Sequence, residues 1–319
     1  MKSREETTTS AAAKNSGDSR DPLSRRRGKR HSGFAESRDG AAIFFEVVGQ
    51  PLPAKTLVLC DGLGCDGYVW KYLQWALSDR FRLVHLQYRG HGRTPLPTDF
   101  GHVSMDDFAA DVLAVMDATE TETAVLCGHS MGVQVCLETY RQSPCRCAGL
   151  VLVCGSYRNP LKTFKGKETL AKLLPALQAA VGHVPRLVGA FWKRLLPLDL
   201  SFQIAQRVEL NGELIHREDF VPYLEGLSRM DPRMFVATMA AAAQHDAQDL
   251  LPLIAVPTLI LTARRDSFTP MALSQEMRDK IPSSELYVVE EGTHTAPIER
   301  PAEVTQVVEK FLSERAFPP

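Results

Sequence analysis

Gly128-His129-Ser130-Met131-Gly132 places a serine between two glycines, with an apolar run at residues 124–127 before it and a helical pattern from residue 133 after it. At such a strand-to-helix turn the hydroxyl is pushed out to where a substrate carbonyl can reach it. A hydroxyl is a weak nucleophile until a base takes its proton, and an imidazole does this best when a carboxylate fixes its tautomer. Both residue types follow later apolar runs. Thr258-Leu259-Ile260-Leu261-Thr262 runs into Asp266, and Tyr287-Val288-Val289 runs into His294. All three side chains thus fall just past the carboxyl ends of expected strands, the edge at which open α/β sheets hold their sites. Plainer roles exist for each. Ser130 would serve as a helix N-cap, Asp266 would cap a helix starting near Pro270, and Asp246 or Asp249 would supply the carboxylate instead. The flanking glycines favour the exposed turn, and strand-end placement favours Asp266. Of nine histidines, His294 alone follows a late strand with a glycine loop. His91 and His129 suit structural hydrogen bonds and loop packing.

The elements that must position these residues alternate. Residues 41–48 follow the turn pair Asp39-Gly40, residues 56–60 form a short buried strand, and residues 81–87 form the next. Ser104 is placed to cap a helix that aligns Met105, Phe108, Ala109, Val112, Leu113 and Met116 on one face. The helix after Ser130 presents Val133, Cys136, Leu137 and Tyr140 at the same spacing, and residues 150–154 are another apolar strand. Alternation stops at residue 155 and resumes with strands at 258–261 and 285–289, closing with a helix from Pro301 that aligns Val304, Val307, Val308, Phe311 and Leu312. The expected fold is α/β: a mostly parallel twisted sheet of about eight strands, helices on both faces, and an inserted helical lid. Its expected organisation is a disordered tail over residues 1–32, a core from residues 33–155 and 251–319, and the lid over residues 156–250. Within the lid, Pro160, Pro175, Pro185, Pro197, Pro222 and Pro232 are expected to break the helices.

Composition bounds the partners. A chain of 319 residues that is 44% hydrophobic buries a sizeable core, and a formal net charge of -1 supplies no field to attract nucleic acid. No apolar stretch is long enough for a membrane span, and no apolar core follows the N-terminal basic residues as in a signal peptide. The seven cysteines are odd in number and lie mostly within expected strands and helices, so they are read as reduced core thiols of a cytoplasmic enzyme. The tail is polar and carries Arg25-Arg26-Arg27-Gly28-Lys29-Arg30, which a solvated segment explains.

Four segments in order resemble the α/β-hydrolase family: Leu59-Cys60-Asp61-Gly62-Leu63-Gly64, Tyr88-Arg89-Gly90-His91-Gly92-Arg93-Thr94, the serine turn, and the Asp266 and Glu291-Gly292-Thr293-His294-Thr295-Ala296-Pro297 segments near the end. The resemblance spans residues 33–312. It implies a nucleophile at Ser130, an acid at Asp266, a base at His294, and an oxyanion hole from the backbone amides of Leu63 and Met131, with no metal or organic cofactor. The family usually has His-Gly where this chain has Asp61-Gly62, and more often a glycine where it has Ala263-Arg264-Arg265 before the acid. The implied function is a serine hydrolase that cleaves a carboxylic ester, lactone or thioester of a small, largely apolar molecule through an acyl-enzyme on Ser130. Relatives with such a lid also include carbon-carbon bond hydrolases, haloperoxidases and acyltransferases.

Two other classes compete. Gly62-Leu63-Gly64-Cys65-Asp66-Gly67 matches a dinucleotide fingerprint, which would make the chain an NADP-dependent reductase with Arg89 on the 2′-phosphate. A non-catalytic, hydrolase-like binding protein is the third class. In the lid, Leu173, Leu174, Leu177, Leu187, Phe191, Trp192, Tyr223, Phe235 and Met239 are expected either to be buried or to line an acyl pocket. Its first half also carries Arg158, Lys162, Lys165, Lys167, Lys172, Arg186, Lys193 and Arg194 against Glu168 alone. A solvated helix face explains these cations, and an anionic substrate or a membrane surface would also use them.

Overall fold

Short Val/Ile/Leu runs too apolar to face water on either side build the centre of the protein as a sheet buried between helices. The structure is a computed structural model that describes residues 30–163, 168–208 and 210–318. Its strands are β1 (His31–Glu36), β2 (Ala42–Gly49), β3 (Thr56–Cys60), β4 (Arg82–Leu86), β5 (Ala124–His129), β6 (Cys147–Val153), β7 (Thr258–Ala263) and β8 (Ser284–Val289). They form one sheet in the order β1-β2-β4-β3-β5-β6-β7-β8. β2 pairs antiparallel with β1 on one side and with β4 on the other, and all remaining pairs are parallel. The β1–β2 turn uses the expected pair: Gly40 takes φ 82°, and the Asp39 carboxylate accepts the Ala41 N–H at 3.2 Å. Strand pairing begins at His31, two residues before the expected boundary, Arg30 pairs with Glu46 of β2, and residues 1–29 of the expected tail lie outside the described residues.

Alternation within the strands divides the core in two. Val58 and Cys60 of β3 and Leu126 of β5 face one side, where α2 (Met105–Ala118), α3 (Met131–Gln142) and later α9 (Met271–Lys280) bring Phe108, Val112, Val133, Leu137 and Met277. Leu57, Leu59, Val125 and Cys127 face the other, against Leu73 and Leu77 of α1 (Lys71–Leu77). α2 starts where the cap predicts, with Ser104 Oγ accepting the Asp107 N–H at 3.1 Å.

Between β6 and β7 the described residues contain no strand. The chain there forms α4 (Thr169–His183), α5 (Pro185–Leu195), α6 (Asp199–Val208), α7 (Arg217–Arg229) and α8 (Pro232–Gln244). Pro185 and Pro232 sit in the first turn, as proline's missing N–H allows. Pro175 and Pro222, expected as breakers, instead lie inside α4 and α7. Both are exposed, and the carbonyls four residues earlier belong to the half-buried Ala171 and the exposed Glu218, so water can satisfy the acceptors that proline leaves unpaired. After β8 come the four-residue α10 (Ala296–Glu299) and α11 (Pro301–Phe311), whose Val304, Val308 and Phe311 complete the second core layer.

One polar group is fixed among these layers. Arg89, just past β4, is 1% exposed and bonds Asp111 of α2 through Nε at 3.0 Å and through a terminal nitrogen at 2.5 Å. Its other terminal nitrogen reaches Asp39 at 2.7 Å and the His102 carbonyl at 2.9 Å. Burial disfavours the guanidinium charge, but Asp111 and Asp39 outweigh it and raise the pKa. Arg89 therefore ties the hairpin turn, β4 and α2 together and has no hydrogen-bonding edge left for a nucleotide phosphate. All seven cysteines are free thiols; six are buried, and Cys145 is exposed. No helix among the described residues is long and apolar enough to cross a membrane.

Candidate active site

β5 ends at His129 and α3 begins at Met131, leaving Ser130 alone at the junction with φ 57° and ψ -118°. A non-glycine residue in this region costs about 1–3 kcal/mol, so the surroundings must hold it there. They do so by close backbone contact. A Cβ on Gly128 would come 2.3 Å from the Gly132 carbonyl oxygen, and a Cβ on Gly132 would come 2.2 Å from that of Cys60. Only hydrogen fits at either position. The Ser130 N–H donates to the Val153 carbonyl at 3.0 Å, and its side chain does not cap α3. The hydroxyl faces His294, whose Nε2 lies 2.8 Å from Ser130 Oγ.

His294 follows β8 in the loop before α10, and its Nδ1 lies 2.9 Å from Asp266 Oδ2. Asp266 follows β7 and is 6% exposed. Its Oδ1 accepts the N–H groups of Phe268 and Thr269, each at 2.9 Å, and its Oδ2 also accepts the Thr269 hydroxyl at 2.7 Å. Burial pushes this carboxyl upward, but His294 and the bonds from His294 and Thr269 prevail, and its pKa falls below the ordinary 3.8. Asp246 and Asp249 are elsewhere. Asp246 accepts the Gln248 N–H, and Asp249 pairs with Arg141 at the surface.

A depressed native pKa means that the Asp266 carboxylate stabilises the fold fully above its unfolded value near 3.8, and that this contribution is lost as pH falls through the native value. Asp266→Asn should therefore melt at a lower temperature than the parent by a constant margin above about pH 5, and the margin should shrink toward pH 3. Parallel thermal melts measure this directly; a margin that widened in acid would contradict the assignment.

The loop after β3 closes the other side of the serine, because β3 is the parallel neighbour of β5. A Cβ on Gly62 would lie 3.1 Å from Ser130 Cβ. Leu63 and Met131 both line the space beside Ser130, and neither backbone N–H is among the described intramolecular hydrogen bonds. Asp61 is fully buried behind this loop, with Oδ2 2.8 Å from His85 Nε2 and its carbonyl accepting the Tyr88 hydroxyl at 3.3 Å. It secures the loop from behind. Gly64 and Gly67 take positive φ in a turn packed against Leu227 and His85, which accounts for those glycines without a nucleotide.

Residues 55–301 match the model of a family described as the alpha/beta hydrolase fold. The chain belongs to that family. Among its relatives are a protein of Variovorax paradoxus named as the carbamate hydrolase RutD, 30% identical over 86% of this chain and 98% of its own length, and the 3-oxoadipate enol-lactonase 1 of Acinetobacter baylyi, 23% identical over 88% and 97%. A solved enol-lactonase from Burkholderia xenovorans LB400 superposes with a TM-score of 0.72 at 21% identity, covering 88% of this chain and 99% of that one. The protein is thus a hydrolase of the alpha/beta hydrolase fold.

In this alpha/beta hydrolase, Ser130 opens onto a cavity of about 490 Å³ beneath the helices between β6 and β7. Leu161, Leu210, Phe220, Leu224, Phe235 and Met239 supply much of its apolar wall. Among the described lining residues there is no Asp, Glu, Lys or Arg. Of the apolar residues expected in the lid, Tyr223, Phe235 and Met239 reach the cavity, and Trp192 packs on Phe235 while donating to the Leu227 carbonyl at 2.7 Å. Leu173, Leu177, Leu187 and Phe191 neither line it nor are buried; they are 41–58% exposed. Helical spacing identifies an apolar face but not whether anything packs on it.

Two supporting side chains carried weaker signals in the sequence. His129 is fully buried, and its Nε2 donates to the His294 carbonyl at 2.8 Å. Burial, then repulsion from His294, pushes its pKa down to about 3, so it remains neutral and orients the His294 loop. The Phe268 ring lies 4.9 Å from the His294 imidazole, centre to centre. Its position two residues after Asp266 is the only hint of that contact.

Proposed function

We propose that the protein is a serine hydrolase of neutral carboxylic esters, with Ser130 as nucleophile, His294 as base, Asp266 as acid and the amides of Leu63 and Met131 as oxyanion donors. The observation that carries this is the unbroken path Ser130 Oγ, His294, Asp266, with contacts of 2.8 and 2.9 Å. The ionised Asp266 keeps the imidazole proton on Nδ1, leaving Nε2 free to accept. Ser130 Oγ attacks the carbonyl carbon as its proton passes to Nε2. The tetrahedral oxyanion is met by the two N–H groups, each such donor contributing about 3 kcal/mol. Collapse breaks the bond to the leaving alkoxide, which takes the proton from Nε2. Water, deprotonated by the same imidazole, then attacks the acyl-enzyme and frees Ser130 and the acid. The helices between residues 169 and 244 act as the lid that keeps bulk water from this sequence.

The relatives are named for hydrolysis of a carbamate and of an enol lactone, both carbonyl compounds with a heteroatom leaving group. An apolar cavity with no cation among its described lining residues supports a neutral acyl chain in preference to an acid-bearing one. The buried thiols fit a reducing, cytoplasmic setting. A fluorophosphonate probe tests the chemistry: the label should map to the peptide containing Ser130, and a label elsewhere would refute the assignment. On p-nitrophenyl esters, kcat/KM should rise about fourfold per methylene until the cavity is filled, following about 0.8 kcal/mol per buried CH₂. Esters ending in a carboxylate should gain nothing from length.

A further inference from the structure

α5 is a helix with no buried residue. Trp192 and Leu196 turn inward, whereas Leu187, Phe191 and Leu195, four residues apart, form a stripe that is 58%, 57% and 49% exposed. At 3.6 residues per turn, Arg186, Lys193 and Arg194 occupy the sector beside that stripe. The feature extends along the chain. Among the described residues, nine of the fourteen exposed large apolar side chains fall between residues 173 and 204. Over residues 169–206 the cations are Lys172, Arg186, Lys193 and Arg194, and the sole acid, Asp199, pairs with Arg217. Arg186, Lys193 and Arg194 form no ion pair among the described residues. The cavity reaches the same region, since Leu196 and the 52% exposed Ile204 both line it.

We propose that this face docks on an anionic lipid surface, with the α5 stripe in the headgroup-acyl boundary, the cations against lipid phosphates and carboxylates, and the cavity alongside. An exposed apolar stripe flanked by lysine and arginine is the pattern of a helix that lies in a bilayer interface. Two other occupants fit less well. The N-terminal segment, residues 1–29, is polar and basic, so it matches neither the apolar stripe nor the charge of this face. A second copy related by a twofold axis would bring the same cations together across the contact. The docking rests on no step of the proposed chemistry, and its test reads no activity.

The full chain is sedimented with vesicles of phosphatidylcholine, with and without phosphatidylserine. Binding is expected with phosphatidylserine and should weaken as salt is raised. Lys193→Gln/Arg194→Gln should weaken partition about 25-fold, at about fivefold per cation near such a surface. Leu187→Ser/Phe191→Ser should weaken it by about tenfold or more, with an unchanged melting temperature because both side chains are exposed. Failure of the parent chain to sediment with phosphatidylserine vesicles would overturn the proposal. So would binding that survives both double substitutions, which would assign the contact to the basic tail. A dimer in light scattering that Leu187→Ser/Phe191→Ser dissolves would make a second copy the occupant instead.

Discussion

Ser130→Ala should lower kcat for an activated ester by about 10⁴- to 10⁶-fold while leaving the melting temperature within a few degrees of the parent. The size of the loss follows from how the three side chains act as a unit in the proposed mechanism. Without Oγ, the imidazole of His294 has no bound alcohol to deprotonate, and the Asp266 carboxylate has nothing to orient it for. What survives is catalysis by the oxyanion donors and by binding, which amounts to about 10³- to 10⁴-fold over water. His294→Ala should fall to a similar level, and the double variant should lose little more than either single one. Steady-state assays run beside thermal melts of the same preparations separate this from loss of folded protein. Ester turnover by a folded Ser130→Ala protein at the parent rate would exclude Ser130 as nucleophile.

Arg89→Ala should cost about 3–5 kcal/mol of folding free energy, far more than a surface ion pair. The substitution leaves the Asp111 carboxylate fully buried with its cation removed and also releases the Asp39 turn from β4. Urea unfolding would report this as a lower midpoint at an unchanged slope. Replacing the pair by apolar residues, Arg89→Met with Asp111→Leu, should recover much of the loss, because no buried charge then lacks a partner. If Arg89→Ala unfolded at the parent midpoint, the pair would contribute nothing and its burial would need another explanation.

The sheet and the positions of Ser130, Asp266 and His294 were legible in the sequence because each depends on local pattern: apolar runs of strand length, glycines at a tight turn, and polar residues just beyond a strand. Strand ends moved by one to three residues, as at β6, which starts at Cys147 where the apolar run suggested residue 150. What was not legible depends on pairing across the fold. Asp61 meets His85 and Arg89 meets Asp111 over separations of 24 and 22 residues, and no local spacing distinguishes these buried partners from surface charges. Pro175 and Pro222 show the same limit from the opposite side. A window treats proline as a stop, whereas packing elsewhere on α4 and α7 and exposure of the affected carbonyls allow the helix to continue. The outward stripe of α5 was hidden for a related reason, since periodicity cannot say which of two apolar sectors finds a partner.

The proposed hydrolysis, inside the wall formed by Phe220, Phe235 and Met239, would convert a neutral guest into a carboxylate in a space where no described cation awaits it. The anion pays for its own desolvation there, whereas the ester did not. The reaction thereby changes the affinity of its occupant in the direction of exit. Such a site clears itself: chemistry supplies the drive for release, and accumulated acid competes poorly with fresh ester.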